Sequence, residues 1–242
     1  MNTPIILLHG WGFTPDIWTP VVNALAQRGL DRARIAVPAL PLQTGELSHS
    51  IHALSALIPE RAHIVGWSLG GELALAFANQ QPARIASLTL IASTPCFMNR
   101  HDWLLGQPES LLDDFDQRLA DNPAALLKRF SMLIRHGDAN ASRDRVFSDT
   151  LAQAYESDSI KLANGLRLLR SIDLRPSMNA GAAATLLIHG TQDAVVPMAA
   201  ADWLARHTGA TLHSIDGASH ALPLTHAPQI ADQLHPLIEQ RA

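Results

Sequence analysis

A single cysteine, Cys96, is present among 242 residues. No disulfide can form within the chain, and such sparse thiol usage fits a reducing compartment. Basic excess is missing as well: Lys and Arg number 18 against 22 Asp and Glu, a formal net charge of −4. An isoelectric point near 6.3 and the lack of a dominant basic stripe argue against a nucleic-acid partner. Long hydrophobic runs are also lacking. Met1-Asn2-Thr3-Pro4 carries no charge-rich region, and the apolar run that follows, Ile5–Leu8, spans only 4 residues. That suits a strand and is too short for a signal peptide or membrane span, so a soluble, cytoplasmic protein is expected. Neither Walker A, G-x-G-x-x-G, H-E-x-x-H nor C-x-x-C occurs, so no cofactor and no metal are expected. There is no internal repeat and no low-complexity tract.

What is present is a chain 47% hydrophobic and 17% charged, suited to one globular domain with an inserted lobe. Short apolar runs at Ile5–Leu8, Arg34–Val37, His63–Gly66, Ser87–Ala92, Thr185–His189 and Thr211–Ile215 read as strands buried on both faces. Helical stretches separate them at Pro15–Arg28, Gly71–Gln80, Ala199–His207 and Ala227–Gln240. This alternation predicts an α/β fold with a mostly parallel, doubly wound sheet. It breaks between Pro95 and Pro176, where only helical stretches occur: Glu109–Ala120, Ala124–Ile134, Arg145–Tyr155 and Ile160–Ser171. Residues 1–94 and 177–242 are therefore expected to form a core, with 95–176 as a helical cap over its site.

The strongest chemical signal is Gly66-Trp67-Ser68-Leu69-Gly70, which follows an apolar run and opens a helix. Such a strand–turn–helix elbow strains the serine backbone and crowds the positions two before and two after it, where glycine removes the colliding Cβ. A serine hydroxyl needs a base, and the base needs an orienting acid. Asp193 and His220 both follow strands and complete the chain order Ser, Asp, His. Asp216 lies four residues before His220, too close to be the separate acid. Among the remaining histidines, His9 is expected to brace its loop and His189 to be structural. His49, His52, His101, His136, His207, His213, His226 and His235 are expected at the surface. The backbone amides of Leu69 and Trp11 are the expected oxyanion donors, the latter because Gly10 and Gly12 allow close approach. Cys96 is read as a buried thiol.

Together, Leu8-His9-Gly10-Trp11-Gly12, the elbow, His189-Gly190…Asp193…Val196-Pro197 and Gly217…His220 resemble the α/β-hydrolase superfamily. The chain starts almost at the first of these strands, so the sheet is expected to lack the usual preceding β-hairpin. A serine nucleophile separates it from the dehalogenases and epoxide hydrolases of that fold, which use aspartate there. A narrower resemblance runs through Gly66–Gly71, Ala92–Phe97, Arg100, Trp103 and Gly165–Arg175. It points to the BioH family, the pimeloyl-acyl carrier protein methyl ester esterases of biotin synthesis. That resemblance implies a serine carboxylesterase acting through an acyl-enzyme on an acyl ester presented by acyl carrier protein. Lys128-Arg129-Phe130 occupies the place of the family's basic and aromatic cap contacts, whereas Ala125 stands where another basic residue is expected. Residues 128–145 hold five Lys or Arg against two Asp. Lys128, Arg129, Arg143 and Arg145 are thus carrier-binding candidates, and Trp11, Trp67 and Phe130 candidates for the acyl channel. A generalist esterase or thioesterase, or a non-catalytic receptor on the same scaffold, are the alternatives.

Overall fold

A computed structural model describes residues 3–138, 140–142, 155–178 and 184–240. Six strands form one sheet: β1 (Ile5–Leu8), β2 (Ile35–Ala36), β3 (Ala62–Trp67), β4 (Ile85–Ile91), β5 (Ala184–Gly190) and β6 (Thr211–Ile215). Their spatial order is β2-β1-β3-β4-β5-β6, and every pairing is parallel. Among the described residues no hairpin precedes β1 in this sheet. Strand β3 is buried along its whole length, as expected of a strand covered on both faces.

The chain runs from β1 outward to β2, then returns to place β3 on the other side of β1. This reversal leaves a crevice beyond the carboxyl ends of β1 and β3, the place where parallel α/β sheets bind ligands. Leu8 pairs with Gly66, so the loops after the two strands emerge side by side. Those loops carry His9–Gly12 and Ser68.

The core helices are α1 (Thr19–Gln27), α2 (Leu47–Leu57) and α3 (Leu69–Gln80), then α7 (Met198–Thr208), α8 (Leu222–Thr225) and α9 (Ala227–Gln240). Helix α1 packs on α9 and α2 packs on α3. The expected single helix Pro15–Arg28 is instead a 3₁₀ turn, Pro15–Trp18, followed by α1. Helix α2 was not expected. Its segment is rich in Ser and His, which are mediocre helix formers, and burial of Ile51 and Leu54 stabilises it instead.

Between β4 and β5 lie α4 (Glu109–Asp121), α5 (Pro123–Ile134) and α6 (Ser159–Ser171), with no named strand among the described residues of this insert. The expected helix Arg145–Tyr155 falls outside the described residues except for Tyr155, which bridges Phe13. The insert sits on the carboxyl edge of the sheet. Glu156 N–H donates to Gly12 O at 2.9 Å and Ala221 N–H to Ile134 O at 3.0 Å.

Glu72, in the first turn of α3, is buried, and neither carboxyl oxygen has a hydrogen-bond partner among the described residues. Burial pushes its pKa well above the ordinary 4.5. Between those two values the folded chain binds more protons than the unfolded one, so this group makes stability fall as pH rises from 4.5. Glu72→Leu is expected to raise stability by about 1–3 kcal/mol at neutral pH, the cost of one unsatisfied buried polar group. The gain should widen between pH 5 and pH 8 in paired urea titrations. A gain independent of pH would show that Glu72 is not held protonated.

Candidate active site

Ser68 is the junction of β3 and α3, with φ 55° and ψ −125°, a left-handed backbone that costs energy in a non-glycine residue. The neighbouring glycines make the turn possible. A Cβ on Gly66 would lie 2.5 Å from Gly70 O, and one on Gly70 would lie 2.4 Å from both Leu8 O and His9 O. Ser68 N–H donates to Ile91 O at 3.0 Å, and Ser68 O accepts from Gly71 N–H at 2.8 Å. Ser93 adds a side-chain clamp, its hydroxyl donating to Ser68 O at 2.9 Å. Strand β4 stops one residue earlier than expected because Ala92 turns to φ 45°, and Ser93 follows that turn.

His220 lies on the loop between β6 and α8, fully buried. Its Nε2 is 3.0 Å from Ser68 Oγ and its Nδ1 is 2.8 Å from Asp193 Oδ2. Asp193 sits on the loop after β5, where its Oδ1 accepts the amides of Val195 and Val196, each at 2.8 Å. Burial alone would raise the Asp193 pKa, but His220, its hydrogen bond and His189 outweigh it and hold the group below the ordinary carboxylate value. A carboxylate fixed by two amides takes Nδ1–H of His220, leaving Nε2 free to accept the Ser68 hydroxyl proton. This arrangement can turn a weak hydroxyl into a nucleophile and return the proton to a leaving group.

The loop after β1 passes directly beside the serine. A Cβ on Gly10 would lie 3.2 Å from Ser68 Cβ and 2.9 Å from the Trp67 ring. His9 braces this loop as expected: its Nε2 accepts Leu40 N–H at 3.0 Å and its Nδ1 faces Gly10 O at 2.9 Å. Burial lowers its pKa to about 4, consistent with a neutral ring that accepts at Nε2. Leu69 opens α3 immediately after Ser68, so its amide belongs to the helical turn that lacks intrahelical acceptors.

The aromatic residues divide. Trp11 is buried and donates from Nε1 to Leu162 O at 2.9 Å, tying the loop after β1 to α6. Its ring stacks on Phe115 at 5.6 Å and meets Phe130 edge-on at 5.0 Å. Phe130 lies beside Gly12, within reach of the crevice. Trp67 is buried beside the nucleophile. Its Nε1–H donates to His220 O at 2.9 Å, and its ring is 5.6 Å from the imidazole, so it braces the histidine loop.

Among the other expected residues, Asp216 is exposed and accepts from Thr191, away from His220. His189 is buried and donates to Val196 O at 2.9 Å, a structural role. Cys96 is buried, and burial followed by the nearby Asp173 pushes its thiol up to about 11, too high for a reactive thiolate. His49, His52, His101, His136 and His207 are exposed, and His213 and His235 partly so. His226 contradicts the expectation of a surface residue: it is buried, with Nδ1 3.6 Å from Asp138 Oδ2. The apolar segments of α8 and α9 carry it inward.

Lys128 and Arg129 are exposed on α5. Lys128 has no ion-pair partner among the described residues, and Arg129 is 3.8 Å from Asp114. Arg170, by contrast, is ringed by Glu109, Asp113 and Asp116. Arg143 and Arg145 lie outside the described residues. A cavity of about 690 Å³ opens beside Lys128, lined by Leu127, Tyr155 and Ser159 among others. Tyr155 continues inward to Phe13 at 5.9 Å, and Phe13 to Trp67 at 5.3 Å. Among the described residues no cluster of three or more His, Cys, Asp or Glu could hold a metal ion. No described helix is long and apolar enough to cross a membrane.

A parallel sheet with Ser, Asp and His on loops at its carboxyl edge is the architecture of the α/β hydrolases. Residues 5–233 match the model of the alpha/beta hydrolase family, and the chain belongs to that family. One relative, named pimeloyl-acyl carrier protein methyl ester esterase, from Aromatoleum aromaticum, is 36% identical, with 96% of each chain covered. A second of the same name, from Nitrosomonas europaea, is 33% identical over 84% of this chain and 82% of its own. Among solved structures, a bromoperoxidase from Bacillus anthracis shares the fold with a TM-score of 0.84 and 21% identity, covering 99% of this chain and 92% of its own.

Proposed function

We propose that this chain is a serine carboxylesterase that demethylates the pimeloyl methyl ester of acyl carrier protein in biotin synthesis. The observation that carries the chemistry is the continuous line from Ser68 Oγ to His220 at 3.0 Å and on to Asp193 at 2.8 Å. Ser68 attacks the ester carbonyl while His220 takes its proton, and the amides of Leu69 and Trp11 receive the oxyanion. His220 then gives that proton to the departing methoxide, which leaves as methanol. Water, deprotonated by His220, attacks the acyl-enzyme, and His220 returns the proton to Ser68 Oγ as the free acid is released.

The relatives' shared name supports the substrate, and the cavity beside Lys128 supports its presentation. In this reading residues 1–94 and 177–242 form the catalytic core and 95–176 a cap. The cap sets how deeply the acyl chain enters, so that the terminal ester reaches Ser68 while the more reactive thioester stays outside. Phe130 and the Trp11 ring line the inner end, and Lys128, Arg129, Arg143 and Arg145 meet the acidic carrier. Cytoplasmic localisation follows from that partner.

The test compares the pimeloyl-carrier methyl ester with a short p-nitrophenyl ester. Changing all four cations to Ala should lower kcat/KM for the carrier substrate roughly tenfold, at about 0.4 kcal/mol for each exposed charge. The loss should shrink as salt screens the interaction, and short-ester hydrolysis should be unchanged. Equal turnover of both substrates, indifferent to the four residues, would leave a generalist esterase.

A further inference from the structure

We infer that Asp138, contributed by the helical insert, is a positioning residue for His220. The inference rests on His220 acting as the base in the proposed reaction. Asp138 follows the C-terminal end of α5, beyond a turn in which Gly137 adopts φ 85°. Its side chain is 1% exposed, and its two oxygens face opposite ways. Oδ1 accepts Asn140 N–H at 2.9 Å within the insert. Oδ2 accepts both the backbone N–H and the hydroxyl of Ser219, each at 3.3 Å.

Ser219 immediately precedes His220. On the other side, Ala221 N–H donates to Ile134 O, again from the insert. Both peptide neighbours of His220 are therefore bonded to residues 134–138, while the His220 carbonyl is held from the core by Trp67. The imidazole reaches Ser68 and Asp193 from a short stretch of backbone fixed at three consecutive residues. His226 closes the cluster, its Nε2 3.2 Å from Asn140 Nδ2 and its Nδ1 2.8 Å from Thr225 Oγ1. Removing Asp138 frees the Ser219 peptide and leaves its amide and hydroxyl without that acceptor. A proton relay tolerates little displacement, since a misplacement near 1 Å can cost on the order of a hundredfold in rate.

An amide cannot take over this role. Asn140 and Ser219 present fixed backbone donors to the two oxygens, so Asp138→Asn turns an NH₂ group toward one of them. Asp138→Ala removes both acceptors. Ser219→Ala is milder, because the backbone N–H stays.

The experiment measures kcat and KM on p-nitrophenyl butyrate, the rate of inactivation by an alkyl fluorophosphonate, and Tm for wild type, Asp138→Asn, Asp138→Ala, Ser219→Ala and Ser68→Ala. The expected result is a roughly 10- to 100-fold loss of kcat in Asp138→Ala, with KM within about twofold of wild type. Fluorophosphonate inactivation, which needs the same base, should slow by the same factor. Asp138→Asn and Ser219→Ala should show smaller losses in both readouts. A purely structural role predicts a lower Tm with kcat and inactivation rate per folded molecule unchanged, and that result overturns the inference while Ser68 dependence stands. Full activity in Ser68→Ala overturns the proposed function and this inference with it. Should Asp138→Ala fail to fold, Asp138→Asn and Ser219→Ala decide alone: wild-type inactivation rates in both overturn the inference.

Discussion

Ser68→Ala is expected to lower kcat for ester hydrolysis by about a million-fold, the scale seen when the nucleophile of a serine hydrolase is removed. Alanine keeps the Cβ, and with it the same strained φ of 55° at the head of α3, so the elbow gains no new clash. It removes only the oxygen that lies 3.0 Å from His220 Nε2. The neighbours that hold the turn, Ile91 O, Gly71 N–H and the Ser93 hydroxyl, all bond to the backbone of residue 68 and stay in place. Stability should therefore change little while turnover collapses. The decisive measurement is a rapid-quench burst: wild type releases one equivalent of alcohol ahead of steady state when deacylation is slower, and the variant releases none. Any variant retaining a burst would place the nucleophile elsewhere.

Asp193→Asn should cost about four orders of magnitude in kcat while leaving the fold intact. The reason lies in the two amides on Oδ1. Val195 and Val196 are fixed donors, so an asparagine must direct its carbonyl oxygen at them. Its NH₂ then faces His220 Nδ1, which has to accept. The imidazole proton moves to Nε2, and the ring can no longer take the proton of Ser68. This is a tautomer defect, and it separates the role of Asp193 from simple charge stabilisation. Thermal unfolding should be close to wild type, and KM nearly unchanged. The same variant should react slowly with a fluorophosphonate, since that reaction uses the same base. A loss confined to KM would mean that Asp193 acts on substrate binding instead.

Much of this was legible in the residues. β1, β6 and α9 have the bounds the residues predict. β1 is an uninterrupted apolar run buried throughout, as a parallel strand covered on both faces should be. β6, at the sheet edge, is buried only at Ile215 and not on both faces as expected. Ser68, Asp193 and His220 were legible because each stands on the loop that follows a strand, and a parallel sheet delivers all such loops to one edge. Helix α2 escaped because its stability comes from packing against α3 and not from propensity. The bracing of the histidine loop by Trp67 was not legible. Its hydrogen bond to a carbonyl 153 residues away has no local signature. The same holds for Asp138 and His226, which look like ordinary loop residues in the sequence. Only the docked insert buries them together, and no spacing rule joins position 138 to position 219. Glu72 has the converse problem: an acid in the first turn of a helix is normally a favourable choice, and only the surrounding burial makes it a cost.

The order in which the site's parts leave the ribosome has a consequence of its own. Ser68 belongs to a strand pair near the start of the chain, whereas its base hangs from β6, the edge strand at the far side of the sheet. Some 152 residues separate the two atoms that exchange the proton. Contacts of such span form late, because loop closure must precede any reward from packing. A growing chain can thus set its serine in the elbow and still be chemically silent, since neither the acid nor the base has been made. Hydrolytic competence must wait until β6 and the loop that carries His220 have docked.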